Sequence, residues 1–112
     1  MLYMLGQAIL DIKDNMTPKY LIKVGLSRKL TQRINTYKSD NPSAIVISTT
    51  AGVESSESKC HSFLSNNGEL YSGEWYQVNA DFFNQCLKEG FKFFPKTQEN
   101  QNVYMYPNSV RV

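Results

Sequence analysis

A carboxylate, a guanidinium and an ammonium can handle a phosphodiester if a fold brings them together, and this chain offers one of each in suggestive surroundings. At about 100° per residue, Val53, Glu57, Cys60 and Leu64 fall within about 60° of arc on a helical wheel, which sets Glu57 among apolar positions. A carboxylate buried alone costs several kcal/mol, so a glutamate there calls for a cation, a hydrogen-bond network or a metal ion, unless the helix turns it to solvent. Arg33, about 60° from Leu30 and about 40° from Tyr37 on another helical stretch, sits at a rim where its stem can pack while the guanidinium reaches over a cleft or into water. Lys23 projects from a strand just before Gly25. The glutamate would hold a divalent metal, and the arginine would offset charge developing on a scissile phosphate.

The distribution of charge supports a polyanionic partner better than its sum. The net charge is only +2, yet Lys19, Lys23, Arg28, Lys29, Arg33 and Lys38 lie in one stretch without an acidic residue. Of these, Lys19, Arg28, Lys29 and Lys38 are candidates to steer the phosphates of such a partner, a contact that carries no sequence information. The alternative for the stretch is a solvated helix face.

These side chains need a scaffold. Leu2 to Ile12 and Tyr20 to Gly25 read as antiparallel strands joined by a loop containing Asp14, Asn15 and Pro18. A period of two puts Tyr20, Ile22 and Val24 on one face of the second strand and Leu21 and Lys23 on the other. Ser27 caps an expected helix from Arg28 to about Lys38, which Asn41-Pro42 closes, and Ala44 to Thr50 is a β-prone run. The glutamate helix should span about Val53 to Leu64 and end in the turn Ser65-Asn66-Asn67-Gly68. A short strand around Trp75 to Val78 follows, then a helix capped by Asn79 and closed after Glu89 by Gly90. Val103 to Tyr106 is a candidate edge strand. The order predicts an α/β (α+β) fold with a small mixed or antiparallel sheet of about three to five strands flanked by helices. Residues 1–94 are assigned to this domain and 95–112 to a C-terminal extension on or trailing it.

A length of 112 residues with 41% hydrophobic residues suits one folded domain. Cys60 and Cys86 fit no metal-ligand spacing and read as free thiols, Cys86 in the core, which together with the lack of a signal-like run points to the cytoplasm. No segment approaches the roughly 20 apolar residues of a membrane span.

At the residues singled out above, the sequence resembles the GIY-YIG nuclease superfamily, in particular a compact branch of phage and mobile-element proteins. In that branch lysine replaces tyrosine in the second half-motif, and a Gly-Glu-Trp or Gly-Glu-Phe run follows the catalytic helix. Leu2-Tyr3-Met4 stands at the first half-motif, Lys23-Val24-Gly25 at the second, and Arg33 eight residues beyond that glycine. Glu57-Ser58-Lys59-Cys60-His61 is the glutamate helix, and Gly73-Glu74-Trp75-Tyr76 follows it. The likeness covers about two thirds of the chain, from Tyr3 to Val78.

The resemblance implies a DNA endonuclease with one divalent ion, Mg²⁺ or Mn²⁺, on Glu57. It makes Tyr3 the phenol that positions or deprotonates the attacking water. A free phenol has a pKa of about 10, so that role needs cations, for which Lys23 and Arg33 are available. Arg33 would grip the phosphate with both prongs of its fork. Tyr37, one turn on, either supports the nucleophile or packs beside Leu30 and Ile34. His61 orients Glu57, touches phosphate, or is a hydrogen-bonded structural residue. Trp75 packs the sheet, and Glu74 is a brace without a firmer role. Tyr20 is an alternative source of the phenol, since the first half-motif is incomplete and its gap to Lys23 is long. No membrane or small-molecule cofactor is implied, and a monomer or weak dimer with one site would nick. Two other readings fit the same residues: an inactive nucleic-acid-binding module, and a small protein-directed inhibitor using the aromatic tail Val103-Tyr104-Met105-Tyr106.

Overall fold

The computed structural model describes residues 1–40, 43–97 and 102–106, with the side chains of Tyr37, Lys38 and Asp40 outside that description. The expected helix stop at Asn41-Pro42 also falls outside it. Strands β1 (Leu2–Asp11) and β2 (Thr17–Leu26) form the antiparallel hairpin, with Tyr3 opposite Gly25 and Leu5 opposite Lys23. At its tip a 3₁₀ turn over Ile12–Asp14 leads into Asn15 and Met16, which both adopt positive φ, 53° and 60°. Helix α1 (Leu30–Asp40), strand β3 (Ile45–Thr50) and helix α2 (Glu54–Asn67) follow. The chain then forms β4 (Glu69–Ser72), β5 (Trp75–Val78), α3 (Ala80–Glu89), a 3₁₀ turn over Gly90–Phe93 and β6 (Val103–Met105).

The α+β class is as expected, but the sheet has six strands, in the order β4-β5-β2-β1-β3-β6, and every pairing is antiparallel. The additional strand is β4. Its four residues Glu-Leu-Tyr-Ser are all exposed at the sheet edge, so no alternation of apolar and polar side chains announces it.

Local chemistry moves two helix boundaries. The Ser27 hydroxyl accepts from Lys29 N at 3.1 Å, making a turn ahead of α1, whose first backbone bond runs from Arg33 N to the Lys29 carbonyl. Helix α2 continues three residues beyond Leu64 to Asn67, where the Asn67 amide donates back to the Phe63 carbonyl at 2.8 Å, and the chain leaves at Gly68. The expected cap of α3 is present: Asn79 Oδ1 accepts from Phe82 N at 2.7 Å, and Gly90 follows the helix at φ 56°.

One face of the hairpin and β3 presents Leu2, Met4, Ile22, Val24 and Ile47 to Cys60 and Leu64 of α2, to Phe82, Phe83 and Cys86 of α3, and to Phe91 and Phe94. Phe63, Phe82, Phe93 and Phe94 pack largely edge to face, the closest ring centroids 4.9 Å apart, an arrangement the ring quadrupoles favour. Both cysteines are buried free thiols, and burial pushes each up to about 12.

The opposite face also buries Tyr3, Leu5, Leu21 and Lys23. The hairpin is therefore covered on both sides near its open end, which explains the unbroken apolar run Leu2–Leu5. Towards the tip the burial of β1 fades into alternation. At the far edge, β6 is held to β3 by side chains as well as backbone. Ser48 Oγ donates to the Tyr104 carbonyl and Thr50 Oγ1 to the Asn102 carbonyl, both at 2.8 Å. Val103 and Met105 pack on the core, leaving Tyr104 and Tyr106 as the exposed rings of that segment.

Candidate functional site

The open end of the hairpin gathers most of the predicted chemistry. Tyr3 and Lys23 lie on one face, as the register of Tyr3 with Gly25 and of Leu5 with Lys23 requires. Tyr3 is 2% exposed, and its ring lies over Gly25 so closely that a Cβ there would collide with the hydroxyl and the ring carbons beside it. The glycine of Lys23-Val24-Gly25 thus serves close approach by the phenol. Tyr20 belongs to the other face, its ring 5.3 Å from that of Phe83, so it is a core residue remote from Lys23's side.

Lys23 is a buried cation already engaged with a carboxylate. Its side chain is 5% exposed and its Nζ donates to Glu74 Oε2 at 3.0 Å, across 51 residues of chain. A buried ammonium needs such a partner. The Lys23 hydrogen bond holds Glu74's carboxyl below the usual carboxylate range. The partial burial of Glu74 acts the other way, and the charges of Lys23, His61 and Arg33 add to the lowering. Arg33, exposed on α1, is thus near enough for its charge to be felt at this corner.

Glu57 and His61 stand one turn apart on α2, half-buried. The apolar stripe assigned to Glu57 holds only in part: Cys60 and Leu64 are buried, whereas Val53 is 47% exposed. Val53 has extended backbone and precedes the helix, so the wheel does not apply to it. Glu57 accordingly sits at the rim of the core. His61 Nε2 is 2.8 Å from the Val24 carbonyl oxygen. A carbonyl only accepts, so Nε2 carries a proton and Nδ1 keeps its lone pair when the ring is neutral.

The residue that sequence reasoning undervalued is Glu74. One ligand atom each from Glu57, His61 and Glu74 lies within 4.8 Å of the others. The available signal was Gly73, which adopts φ 58° in the β4–β5 turn just before Glu74; only the paired strands reveal where that turn is aimed. Two carboxylates and an imidazole so close suit a divalent cation, hard oxygens for Mg²⁺ or Mn²⁺ and a nitrogen for a softer ion.

The expected phosphate-steering cations separate. Arg28, Lys29 and Arg33, with Ser27, Gln32 and Thr36, line a groove of about 420 Å³ along α1. Lys19 lies towards the hairpin tip in an ion pair with Asp14 at 2.8 Å, which raises its pKa through that hydrogen bond. The stretch from Lys19 to Lys38 is therefore less of a bare basic field than its sequence suggests, because Asp14 and Glu74 enter from outside it. The side chains of Tyr37 and Lys38 lie outside the described residues.

Among the described residues, no helix is long and apolar enough to cross a membrane. The T5orf172 domain, found in phage and mobile-element proteins and associated with a nuclease-like fold, matches residues 2–90. No curated protein and no solved structure matches.

Proposed function

The chain belongs to the T5orf172 domain family, and from that premise we propose that it is a metal-dependent DNA endonuclease of the GIY-YIG type that nicks its substrate. The observation that carries this reading is the convergence of Glu57, His61 and Glu74 within 4.8 Å, beside Lys23 and within reach of the charge of Arg33. Glu57 would hold a divalent cation, Mg²⁺ or Mn²⁺, which when bound would supply Lewis-acid stabilisation of charge on the phosphate.

The chain's own residues do the rest. DNA lies along the α1 groove, where Arg28 and Lys29 attract the backbone and Arg33 forks onto the scissile phosphate. Tyr3 positions the attacking water through its hydroxyl, a role that suits a buried phenol better than exchanging protons with bulk solvent. Lys23 braces Glu74, and the hydrogen bond from His61 to Val24 fixes the imidazole against the sheet.

Incubation of supercoiled plasmid with the chain and Mg²⁺ or Mn²⁺ tests the proposal. The wild type should yield open-circular product. Glu57→Gln keeps shape and hydrogen bonding but removes the anion, and should lower cleavage at least about a thousandfold, about 4 kcal/mol of barrier. Its DNA affinity and melting temperature should hold. An intact plasmid with the wild type under both ions, or cleavage by Glu57→Gln at the wild-type rate, would overturn the reading.

A further inference from the structure

We infer that Glu57, His61 and Glu74 form a single three-donor site whose nitrogen makes it prefer Mn²⁺ to Mg²⁺, with Lys23 holding Glu74 in place. This rests on the metal-dependent reading above and extends it from one ligand to three.

The argument begins with where the donors come from. Glu57 and His61 are four residues apart on α2 and share a helix face. Glu74 arrives from a different part of the sheet, on the turn that Gly73 bends at φ 58°. A structural counter-ion for Lys23 has no need to stand beside a second carboxylate. Two glutamates set within 4.8 Å of each other repel unless something positive lies between them. Lys23 offsets one charge by a direct hydrogen bond to Glu74, while Arg33 acts on that corner only through its longer-range charge.

The hydrogen bonds leave Glu74 and His61 one further ligand atom each. Glu74 uses Oε2 on Lys23 at 3.0 Å, and a carboxylate has a second oxygen to offer. His61 uses Nε2 on the Val24 carbonyl at 2.8 Å, the arrangement by which a metal-binding histidine fixes its tautomer and aims its other nitrogen. Lys23 and Val24, successive residues of β2, therefore each orient one of the donors. The lysine of the half-motif acts here as a positioning residue for Glu74.

Donor chemistry then selects the ion. Mg²⁺ takes oxygen ligands in strict octahedra and keeps much of its water, whereas an imidazole nitrogen raises affinity for transition ions. The site should take Mn²⁺ at least about tenfold more tightly than Mg²⁺.

Calorimetric titration of the full chain without DNA, together with pulsed electron paramagnetic resonance of bound Mn²⁺, tests this. The wild type should show a ¹⁴N coupling from a directly bound imidazole, lost in His61→Gln along with most of the preference for Mn²⁺. Glu74→Gln should weaken Mn²⁺ binding about tenfold or more, with circular dichroism confirming that each variant is folded. Should His61→Gln fail to fold, the wild-type spectrum decides alone. Absence of the ¹⁴N coupling, or wild-type Mn²⁺ affinity in Glu74→Gln, overturns the three-donor site; the endonuclease reading then still stands if Glu57→Gln abolishes plasmid nicking. A wild type that binds neither ion and leaves plasmid intact sinks both.

Discussion

The two ends of the β1–β2 hairpin each carry a lysine–carboxylate pair on β2, and the pairs are alike in length and in the exposure of the carboxylate but differ in what they join. Lys19 meets Asp14 at 2.8 Å across five residues of chain, with the carboxylate well exposed. Lys23 meets Glu74 at 3.0 Å across 51 residues, with the ammonium almost wholly buried. The first joins neighbours on a turn that the backbone already brings together, so water and salt can replace most of it. The second ties the hairpin to the β4–β5 turn, and breaking it would leave a largely buried lysine without that carboxylate. Four residues along one strand separate a surface decoration from a functional corner, and the difference is made by what the rest of the fold brings up to each.

This contrast predicts large consequences for changes at the open end and slight ones at the tip. The largest expected effect on stability is that of Gly25→Ala. The added methyl has no room beneath Tyr3, so the variant should lose about 1 to 3 kcal/mol in urea denaturation. Wild-type stability would mean that the phenol swings aside freely, and the close packing at the open end would lose its significance.

Next comes Arg33→Lys, which keeps a charge but removes the fork. Plasmid cleavage should fall at least about tenfold, about 1.4 kcal/mol of barrier, with the fold and most DNA binding retained. Full activity would reduce Arg33 to a surface cation like those at the tip.

A smaller, opposite effect is expected from Met16→Gly. Met16 sits at φ 60°, where a side chain costs about 1 to 2 kcal/mol, against about 0.4 to 1 kcal/mol for the added freedom of an unfolded glycine. The variant should melt higher, and nicking should be unaltered. A lower melting point would show that the Met16 side chain holds the tip in a way its exposure does not suggest.

The finest test of the contrast is the salt dependence of DNA binding. Lys29→Ala should reduce the slope of log affinity against log salt by about one, while Lys19→Ala should leave it unchanged. Equal changes in the two slopes would extend the DNA path to the hairpin tip.

Local periodicity and capping carry much of the fold, although not the start of α1 after Ser27. The two hairpin strands, the Asn79 cap, the Gly90 stop and the division of β2 into a core face and a Lys23 face all follow from patterns a few residues long. The roles of Lys23 and Glu74 were harder to read because their meeting depends on β5 pairing with β2 in a register that sets Trp75 opposite Lys23. Nothing within either segment specifies that register. Val53 differs in kind: it stands one residue before the first helical residue, where the periodicity of the helix does not apply, and it faces solvent. For Lys19 the information was present, since Asp14 and Lys19 flank an expected hairpin loop, but a count of cations that began at Lys19 left its partner outside.

The hydroxyls of Ser48 and Thr50 reach across to the last described strand at the outer side of β3, beyond the residues that the domain family matches. Without β6, β3 would present a row of unsatisfied backbone donors and acceptors, the usual template for one chain to recruit another into a growing sheet. The three-residue β6 and, at the opposite border, the four-residue β4 are too short to offer a passing strand much purchase. The segment after the matched residues thus replaces the six-residue border of β3 with a three-residue one, leaving less backbone open to edge-to-edge pairing.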